Sequence, residues 1–214
     1  MNSEPHRDES PRFLIISRWV SLVFHPVFVS LLLFVVAIFF SPDGDGQAGL
    51  SRWLVLLITL LFVVVIPILH AAWLIRKKRI SSWDMPHPLE RRRPLLSMIF
   101  LTIVLQVLFM ILGVTGLASY LPGLGLGLSG TVFLVNLLWK ISIHLVSMGS
   151  LSAFVVWLFP VGPSPRYAAA LTVCFLVSLV TALARHKLKA HTPAQLVVGW
   201  IVGFAITIIF FVIF

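Results

Sequence analysis

Acidic side chains are scarce in this sequence, and all of them lie in its first half. The seven aspartates and glutamates end at Glu90, and no carboxylate follows it. Acids inside the membrane are typical of proton and cation pathways. The acid-free apolar runs after Glu90 therefore argue against a proton or cation carrier.

Cysteine is almost absent as well. The single cysteine, Cys174, stands inside an apolar run, so neither a disulfide framework nor a cysteine metal cluster is available. A metal site built from His144, His186 and His191 would have no carboxylate or thiolate nearby to complete it. We therefore expect a site without metal or cofactor, and Cys174 as a small core residue.

Polar residues are too few for a soluble protein. Charged residues make up only 11% of the 214 residues, whereas hydrophobic residues make up 59%. A soluble domain of this size cannot bury so much apolar surface, so the sequence predicts an all-α integral membrane protein. The first residues, Met1–Arg12, contain no apolar core, which argues against a removable signal peptide. We expect a polar cytoplasmic N-terminus over 1–18 and a single transmembrane helical domain over 19–214.

Apolar runs long enough to cross a bilayer, which takes about 20 residues, occur five times. They are Trp19–Phe40, Trp53–Ile75, Leu95–Leu117, Tyr167–Ala184 and Pro193–Phe214. The stretch Thr131–Phe159 is ambiguous. It fits one long helix with Lys140 and His144 at its middle, or two helices of about 15 residues that meet there.

These two possibilities predict a bundle of six or of seven transmembrane helices. One long helix would bury the Lys140 charge at mid-bilayer at a cost of several kcal/mol, so we favour two helices and seven spans. The N-terminus and the loops around Arg91, Lys140 and His191 then share one face. The positive-inside rule makes that face cytoplasmic, in what we expect to be a bacterial inner membrane.

A glycine-rich stretch follows the third apolar run, between Ala118 and Gly130. It includes Gly123, Gly125 and Gly127, but no lysine with a following serine or threonine, and no strand precedes it. A phosphate-binding nucleotide loop needs those features, so we expect a flexible connection between helices.

Basic residues are in excess, and the formal net charge is +9. They lie within a few residues of the apolar runs and not on a soluble face, so nucleic acid is not the expected partner. This arrangement favours the lipid bilayer and an anionic or phosphorylated lipid.

The most informative stretch, Ala184–Gly199, joins the last two apolar runs. Thr192 fits a helix N-cap, a proline follows it, and Gln195 stands three residues after the cap, which is a capping-box signal. His191 therefore precedes a helix N-terminus, where exposed N–H groups and the helix dipole favour an anion. With the positive charge of Arg185 nearby, the stretch predicts a phosphate site at the membrane surface.

Four groups of polar residues meet at one face in the seven-helix arrangement. They are Asp84 with Glu90, Arg91, Arg92, Arg93 and Pro94; Lys140 with His144; Arg185; and His191 with Gln195. His25 and His70 each stand near a proline in an apolar run, and we expect both to be packing residues.

Two of these groups resemble signatures of the type 2 phosphatidic acid phosphatase superfamily of membrane phosphatases and haloperoxidases. Arg185, five residues, His191, three residues and Gln195 is similar to the third signature, which has aspartate at the last position. The stretch Ile141–His144, Ile-Ser-Ile-His, resembles the second, Pro-Ser-Gly-His. The resemblance covers roughly residues 84–203.

The first signature of that superfamily, lysine, six residues and Arg-Pro, is matched only at its end. Arg93 and Pro94 fit the Arg-Pro pair, but Pro86 stands at the lysine position. Lys140 is the alternative source of that positive charge.

The resemblance implies a phosphohydrolase that works through histidine. In that family the third-signature histidine attacks phosphorus, the second-signature histidine protonates the leaving oxygen, and basic side chains hold the phosphoryl oxygens. His191 would then be the nucleophile, through a phosphohistidine, with His144 as general acid and Arg185 as a phosphate clamp. A neutral imidazole is a good nucleophile near pH 7, and fixed cations stabilise the transferring group. Further phosphate-binding residues would be Lys140, Arg91, Arg92 and Arg93.

Gln195 is the main departure from the family pattern. A neutral amide accepts the ring N–H but stabilises an imidazolium less than aspartate does, and the analogous change in a serine-protease triad costs about four orders of magnitude in rate. If a carboxylate supports His191, it must be Asp84 or Glu90, because none follows.

The function that the sequence predicts is metal-independent removal of phosphate from a lipid phosphate or a prenyl mono- or diphosphate. The alternative is a diverged membrane protein that binds anionic or phosphorylated lipid without hydrolysis, or an ion path lined by Lys140 and His144. The spacing of Arg185 and His191 at a helix start favours the enzyme, because a lipid-binding patch does not require it.

Overall fold

The computed structural model describes residues 11–40, 50–158 and 165–214, and these form eight helices without a strand. The helices are α1 (Pro11–Val23), α2 (Pro26–Phe39), α3 (Arg52–Arg76), α4 (Pro88–Ile111), α5 (Leu117–Leu138), α6 (Ile143–Leu158), α7 (Pro165–Lys187) and α8 (Pro193–Ile213). The expected all-α membrane bundle is confirmed.

Five helices, α3, α4, α5, α7 and α8, are long and apolar enough to cross a membrane. α1 and α2 form a further apolar unit, bent by 41°. The bend lies at His25, which is extended and caps α2, and Pro26 follows at the first helical position. The predicted run Trp19–Phe40 is therefore two helices, and Pro11–Arg18 of the expected polar N-terminus belongs to α1. Residues 1–10 of that N-terminus lie outside the described residues.

The ambiguous stretch is broken at Lys140, as favoured. α5 ends at Leu138, Trp139 is extended, and α6 begins at Ile143. The predicted start of the first of these helices, Thr131, is wrong, because α5 begins at Leu117 and has 22 residues. Of these two helices only α6, with 16 residues, is shorter than a usual span.

The prediction of a flexible connection between Ala118 and Gly130 is also wrong. The whole stretch is helical within α5, including Pro122. In a bilayer each backbone N–H and C=O needs a partner inside the protein, which keeps an apolar glycine-rich segment helical. The connection lies just before it, where Gly113 and Gly116 take φ values of 66° and 68°. Glycine adopts such left-handed angles without strain.

α6 and α8 are in close contact through glycines. A Cβ on Gly203 would overlap the carbonyl of Val146, and a Cβ on Gly149 would overlap the carbonyl of Trp200. Gly199 stands four residues before Gly203, a spacing that lets membrane helices approach closely. The glycine contact therefore fixes how far the start of α6 lies from the start of α8.

A buried aromatic and aliphatic cluster fills the bundle between α2, α4, α5 and α6. Phe34 packs edge-on against Phe109, with ring centroids 6.3 Å apart, and Leu105, Leu121 and Phe154 join the cluster. It stabilises the helices whose ends carry the polar residues described next.

Candidate functional site

A cavity of about 630 Å³ lies among the helices, within the range of about 300–1,000 Å³ that is usual for small-molecule sites. Its walls are mostly apolar side chains of α2, α3, α4 and α5. Its polar end is lined by Asp84, Arg91, His144, Arg185 and His191. The structure thus brings together residues from all four polar groups that the sequence analysis singled out.

The capping box of α8 holds His191. Its Nδ1 lies 3.1 Å from Oε1 of Gln195, and the same oxygen accepts a hydrogen bond of 3.2 Å from the backbone N–H of Thr192. A backbone N–H requires an acceptor, so this contact orients the Gln195 amide with its oxygen toward His191. That oxygen only accepts, so Nδ1 carries the ring proton and Nε2 keeps its lone pair. The predicted capping box is confirmed.

His191 is neutral over the whole physiological range. Burial lowers its pKa to about 3, and the charge of Arg91 and then those of Arg185 and Lys140 act in the same direction. The hydrogen bond with Gln195 raises the pKa but only offsets part of this decrease. A neutral ring is the form in which imidazole acts as a nucleophile.

Arg91 reaches the site from the first turn of α4 and is buried. Its Nε donates to the carbonyl of Met85 at 3.1 Å, and its Nη1 donates to the carbonyl of Ile141 at 3.0 Å. These bonds connect the segment before α4 to the segment between α5 and α6. Because both acceptors are neutral, the positive charge of Arg91 remains available to an anion.

Arg185, at the end of α7, has one carboxylate partner. Its Nη1 lies 3.1 Å from Oδ1 of Asp84, and the two side chains are 4% and 69% exposed. The buried Nε of Arg185 has no hydrogen-bond partner among the described residues. An unsatisfied donor on a buried charged group is costly, so Arg185 has capacity for a further acceptor.

His144 lies at the start of α6, where its ring contacts α1 and His25. Its Nε2 lies 3.1 Å from the carbonyl of Ser21, which can only accept, so Nε2 carries the proton. The ring of His25 stands edge-on to it, with centroids 5.3 Å apart. Sequence reasoning missed His25, which lines the cavity. The available signal was its position before Pro26, which is typical of a helix N-cap.

Lys140 lies outside the main cavity. It lines a second, more open hollow with His186, Lys189, His191 and Gln195. Burial lowers the pKa of Lys140, and the charges of Arg91 and Arg185 lower it further. Lys140 therefore adds positive potential beside His191 from the outer side of the site.

Three further predicted site residues line neither cavity. Arg92 and Arg93 are exposed, and Glu90 accepts a hydrogen bond of 3.0 Å from the hydroxyl of Ser81. Successive helical residues point about 100° apart, so of three consecutive arginines only Arg91 faces the site. Within the described chain, neither Glu90 nor Asp84 forms a hydrogen bond with His191. The side chain that supports His191 is the amide of Gln195 and not a carboxylate.

The assembled site suits an anion attached to an apolar tail. It combines two buried guanidinium groups, a neutral imidazole with an oriented lone pair, and an apolar cavity that begins beside them. In the part of the chain that the structure describes, no group of three or more histidine, cysteine or acidic side chains is placed to hold a metal ion.

No protein-family model matches the chain, and neither a curated protein nor a solved structure matches it.

Proposed function

We propose that the protein is a metal-independent phosphohydrolase related to the type 2 phosphatidic acid phosphatases, acting on a lipid phosphate or a prenyl mono- or diphosphate. The observation that carries the proposal is the contact between Nδ1 of His191 and Oε1 of Gln195. It directs the ring proton to Nδ1 and leaves Nε2 as the nucleophilic atom. A site that only binds head groups does not require an oriented imidazole.

The reaction proceeds in two steps at His191. Its Nε2 attacks phosphorus, so that an N–P bond forms while the P–O bond to the lipid breaks. Water then attacks the phosphohistidine, the N–P bond breaks, and inorganic phosphate leaves with His191 regenerated. Arg91 and Arg185 stabilise the negative charge on the transferring phosphoryl oxygens in both steps.

His144 supplies the proton that the leaving lipid oxygen needs. Its Nε2 donates to the Ser21 carbonyl in the structure, so the ring must take up a second proton on Nδ1, and this Nδ1 proton moves to the leaving oxygen. In the second step the attacking water returns a proton to His144. The bond to Ser21 thus keeps the ring in place between turnovers.

The test is phosphate release by the purified protein from phosphatidate, phosphatidylglycerol phosphate and prenyl mono- and diphosphates in the presence of EDTA. His191→Ala is expected to reduce release by about three orders of magnitude or more, because it removes the nucleophile. His87→Ala is the matched control, since His87 is exposed and lines neither cavity. Reactions with labelled substrate, quenched in alkaline detergent because the N–P bond of phosphohistidine hydrolyses in acid, are expected to trap phosphate on His191.

The second function to consider is binding of phosphorylated lipid without hydrolysis. Two observations favour it. The group that orients His191 is the neutral amide of Gln195, and the guanidinium of Arg185 is already paired with the carboxylate of Asp84. Tight binding by folded protein that releases no phosphate from any of these substrates would establish this function and overturn the phosphohydrolase.

A further inference from the structure

The apolar part of the cavity is a channel that runs from the polar end into the bundle. Along α4 its lining extends from Arg91 to Leu105, which is a rise of about 21 Å at 1.5 Å per residue. α2 and α3 line it over about 12 Å each and α5 over about 17 Å, with Phe34, Val63 and Leu121 at the deep end. These deep side chains belong to the buried apolar cluster of the bundle.

We propose that this channel holds the hydrocarbon chain of a single-chain lipid phosphate, alkyl or prenyl, and limits the length of that chain. The proposal rests on the proposed function for the head group, because Arg91 and Arg185 supply the positive charge that a phosphate needs. An extended chain advances about 1.2 Å per bonded atom, so about 21 Å accommodates about 17 atoms in a row.

Gly125 determines the width of the channel near its deep end. It lines the channel from α5, and a Cβ there would stand 3.2 Å from Cγ2 of Thr102 on α4. Glycine is unfavourable inside a helix, so its presence at this position calls for a reason. The missing side chain supplies one, because it leaves the channel open past Thr102.

Two other glycines of α5 provide matched controls. Gly127 and Gly130 do not line the channel. A Cβ on Gly127 would meet its nearest neighbour at 3.9 Å, and a Cβ on Gly130 would meet nothing within 4 Å. Leucine at either position is therefore expected to leave the channel unchanged.

The position of Gly125 predicts how much chain a larger residue would exclude. It stands four residues from Leu121, which is about 6 Å of helix. A leucine at Gly125 would therefore block about five bonded atoms at the deep end, leaving room for about 12.

The experiment measures the affinity of dodecyl-, hexadecyl- and eicosylphosphonate for the protein in lipid nanodiscs. Phosphonates keep the head-group charge but resist hydrolysis, so binding is read independently of catalysis. A chain that leaves the bilayer for the channel gains only its packing against the channel walls, because the lipid is as apolar as the channel. The wild-type protein is expected to favour hexadecyl over dodecyl and to gain nothing further from eicosyl. Gly125→Leu is expected to lose about tenfold or more for hexadecylphosphonate, whose chain end would be overpacked, and less than about twofold for dodecylphosphonate, whose chain ends before the leucine.

Partition of the ligands into the bilayer is the same for every variant, so it cancels when each variant is compared with wild type. Gly127→Leu and Gly130→Leu are expected to keep the wild-type profile. Thr102→Leu adds bulk on α4 at the depth of Gly125 and so narrows the channel at the same place. It takes the place of Gly125→Leu in the experiment if Gly125→Leu does not fold. Farnesyl and geranylgeranyl phosphonates, run in parallel, distinguish a prenyl from an alkyl chain.

Two results would overturn the length limit. One is an affinity that rises from hexadecyl to eicosyl by the same factor as from dodecyl to hexadecyl. The other is the same dependence of affinity on chain length in Gly125→Leu and Gly130→Leu. A length limit that shifts in Gly125→Leu, in protein that hydrolyses no phosphate ester, would uphold the chain site while refuting the phosphohydrolase.

Discussion

One oxygen atom, Oε1 of Gln195, both caps α8 and selects the proton-bearing nitrogen of His191. The cap orients the amide, and the amide orients the imidazole. A carboxylate at the same place would do both and would also stabilise a positively charged ring. The neutral amide therefore yields an oriented nucleophile that gains less stabilisation as the phosphohistidine forms.

The pKa of His191 predicts how stability depends on pH. The folded pKa of about 3 lies below the unfolded value of 6.5, so the unfolded state binds the proton first as the pH falls. Stability from His191 is thus complete above about pH 6.5 and is lost toward pH 3, by up to about 1.4 kcal/mol per pH unit. Reversible unfolding in mixed micelles measures it, with His191→Gln expected to remove this slope.

Gln195→Glu is the matched variant for this prediction. It preserves the capping box, since glutamate serves there as well as glutamine, and adds a negative charge beside Nδ1. The pKa of His191 is then expected to rise and the acid-induced loss of stability to shrink. A slope that is identical in both proteins would show that Gln195 does not control the ring.

The Asp84 carboxylate pairs with the guanidinium of Arg185, as a bound phosphate would. This pairing predicts how Asp84→Asn changes stability and the response to added anion. The substitution leaves the buried guanidinium without a carboxylate, which is expected to cost about 1–3 kcal/mol. Inorganic phosphate or vanadate is expected to recover that loss, so the rise in Tm on adding anion is larger than in wild type.

Glu90→Gln is the control for Asp84→Asn, because Glu90 bonds to Ser81 and not to an arginine of the site. Its response to anion is expected to match that of wild type. An Asp84→Asn protein with the wild-type response would refute the idea that the carboxylate stands where an anion binds.

Among the helices, the contact of α6 with α8 has the most direct effect on the site. It positions His144 and His191, which lie at the beginning of α6 and just before α8. The backbones approach so closely that a single methyl group at Gly203 has no space. Geometry at the start of α8 is therefore controlled by a residue more than two turns away from it.

Gly203→Ala is expected to destabilise the protein by about 1–3 kcal/mol and to reduce phosphate release, because the added methyl group pushes α8 away from Val146. Gly130→Ala, in open space on α5, is expected to be neutral or stabilising by up to about 1 kcal/mol. Thermal unfolding and turnover of the two variants test this. Equal stability of both would contradict the close contact.

For the whole molecule, the contacts place three connections at the same end of the bundle. Asp84 before α4 meets Arg185 at the end of α7, and the amide N–H of Ser142 lies 3.4 Å from the carbonyl of Gln195. The connection between α4 and α5, at residues 112–116, lies at the far end of α4. The membrane face of the site stays a prediction, with the cytoplasm favoured by the positive-inside rule.

Labelling of single cysteines in a Cys174→Ala background tests this arrangement in sealed vesicles. Cysteines at Lys78 and Lys189 are expected to react with a membrane-impermeant maleimide from one side, and a cysteine at Gly113 from the other. Both lysines are exposed and lie in connections at the site end. If the cysteines at positions 78 and 189 were labelled from opposite sides of the membrane, the two connections could not share one face.

The sequence by itself determined the membrane class, most helix cores and the capping box of α8, because these depend on local hydropathy and local hydrogen bonds. It also brought His191, Gln195 and Arg185 forward through spacing alone. It failed at the helical glycine stretch of α5, where bilayer solvation overrides turn chemistry. It also failed at the bend before Pro26, although the proline and the capping histidine are a local signal.

Only the tertiary structure decided which charged residues meet. Helix rotation selected Arg91 from three consecutive arginines, and packing of α1 against the bundle brought Ser21 and His25 to His144. Tertiary packing also paired Asp84, before α4, with Arg185 at the end of α7, across 101 positions of sequence. Such pairings depend on how whole helices are oriented against one another, which no local pattern in the chain records.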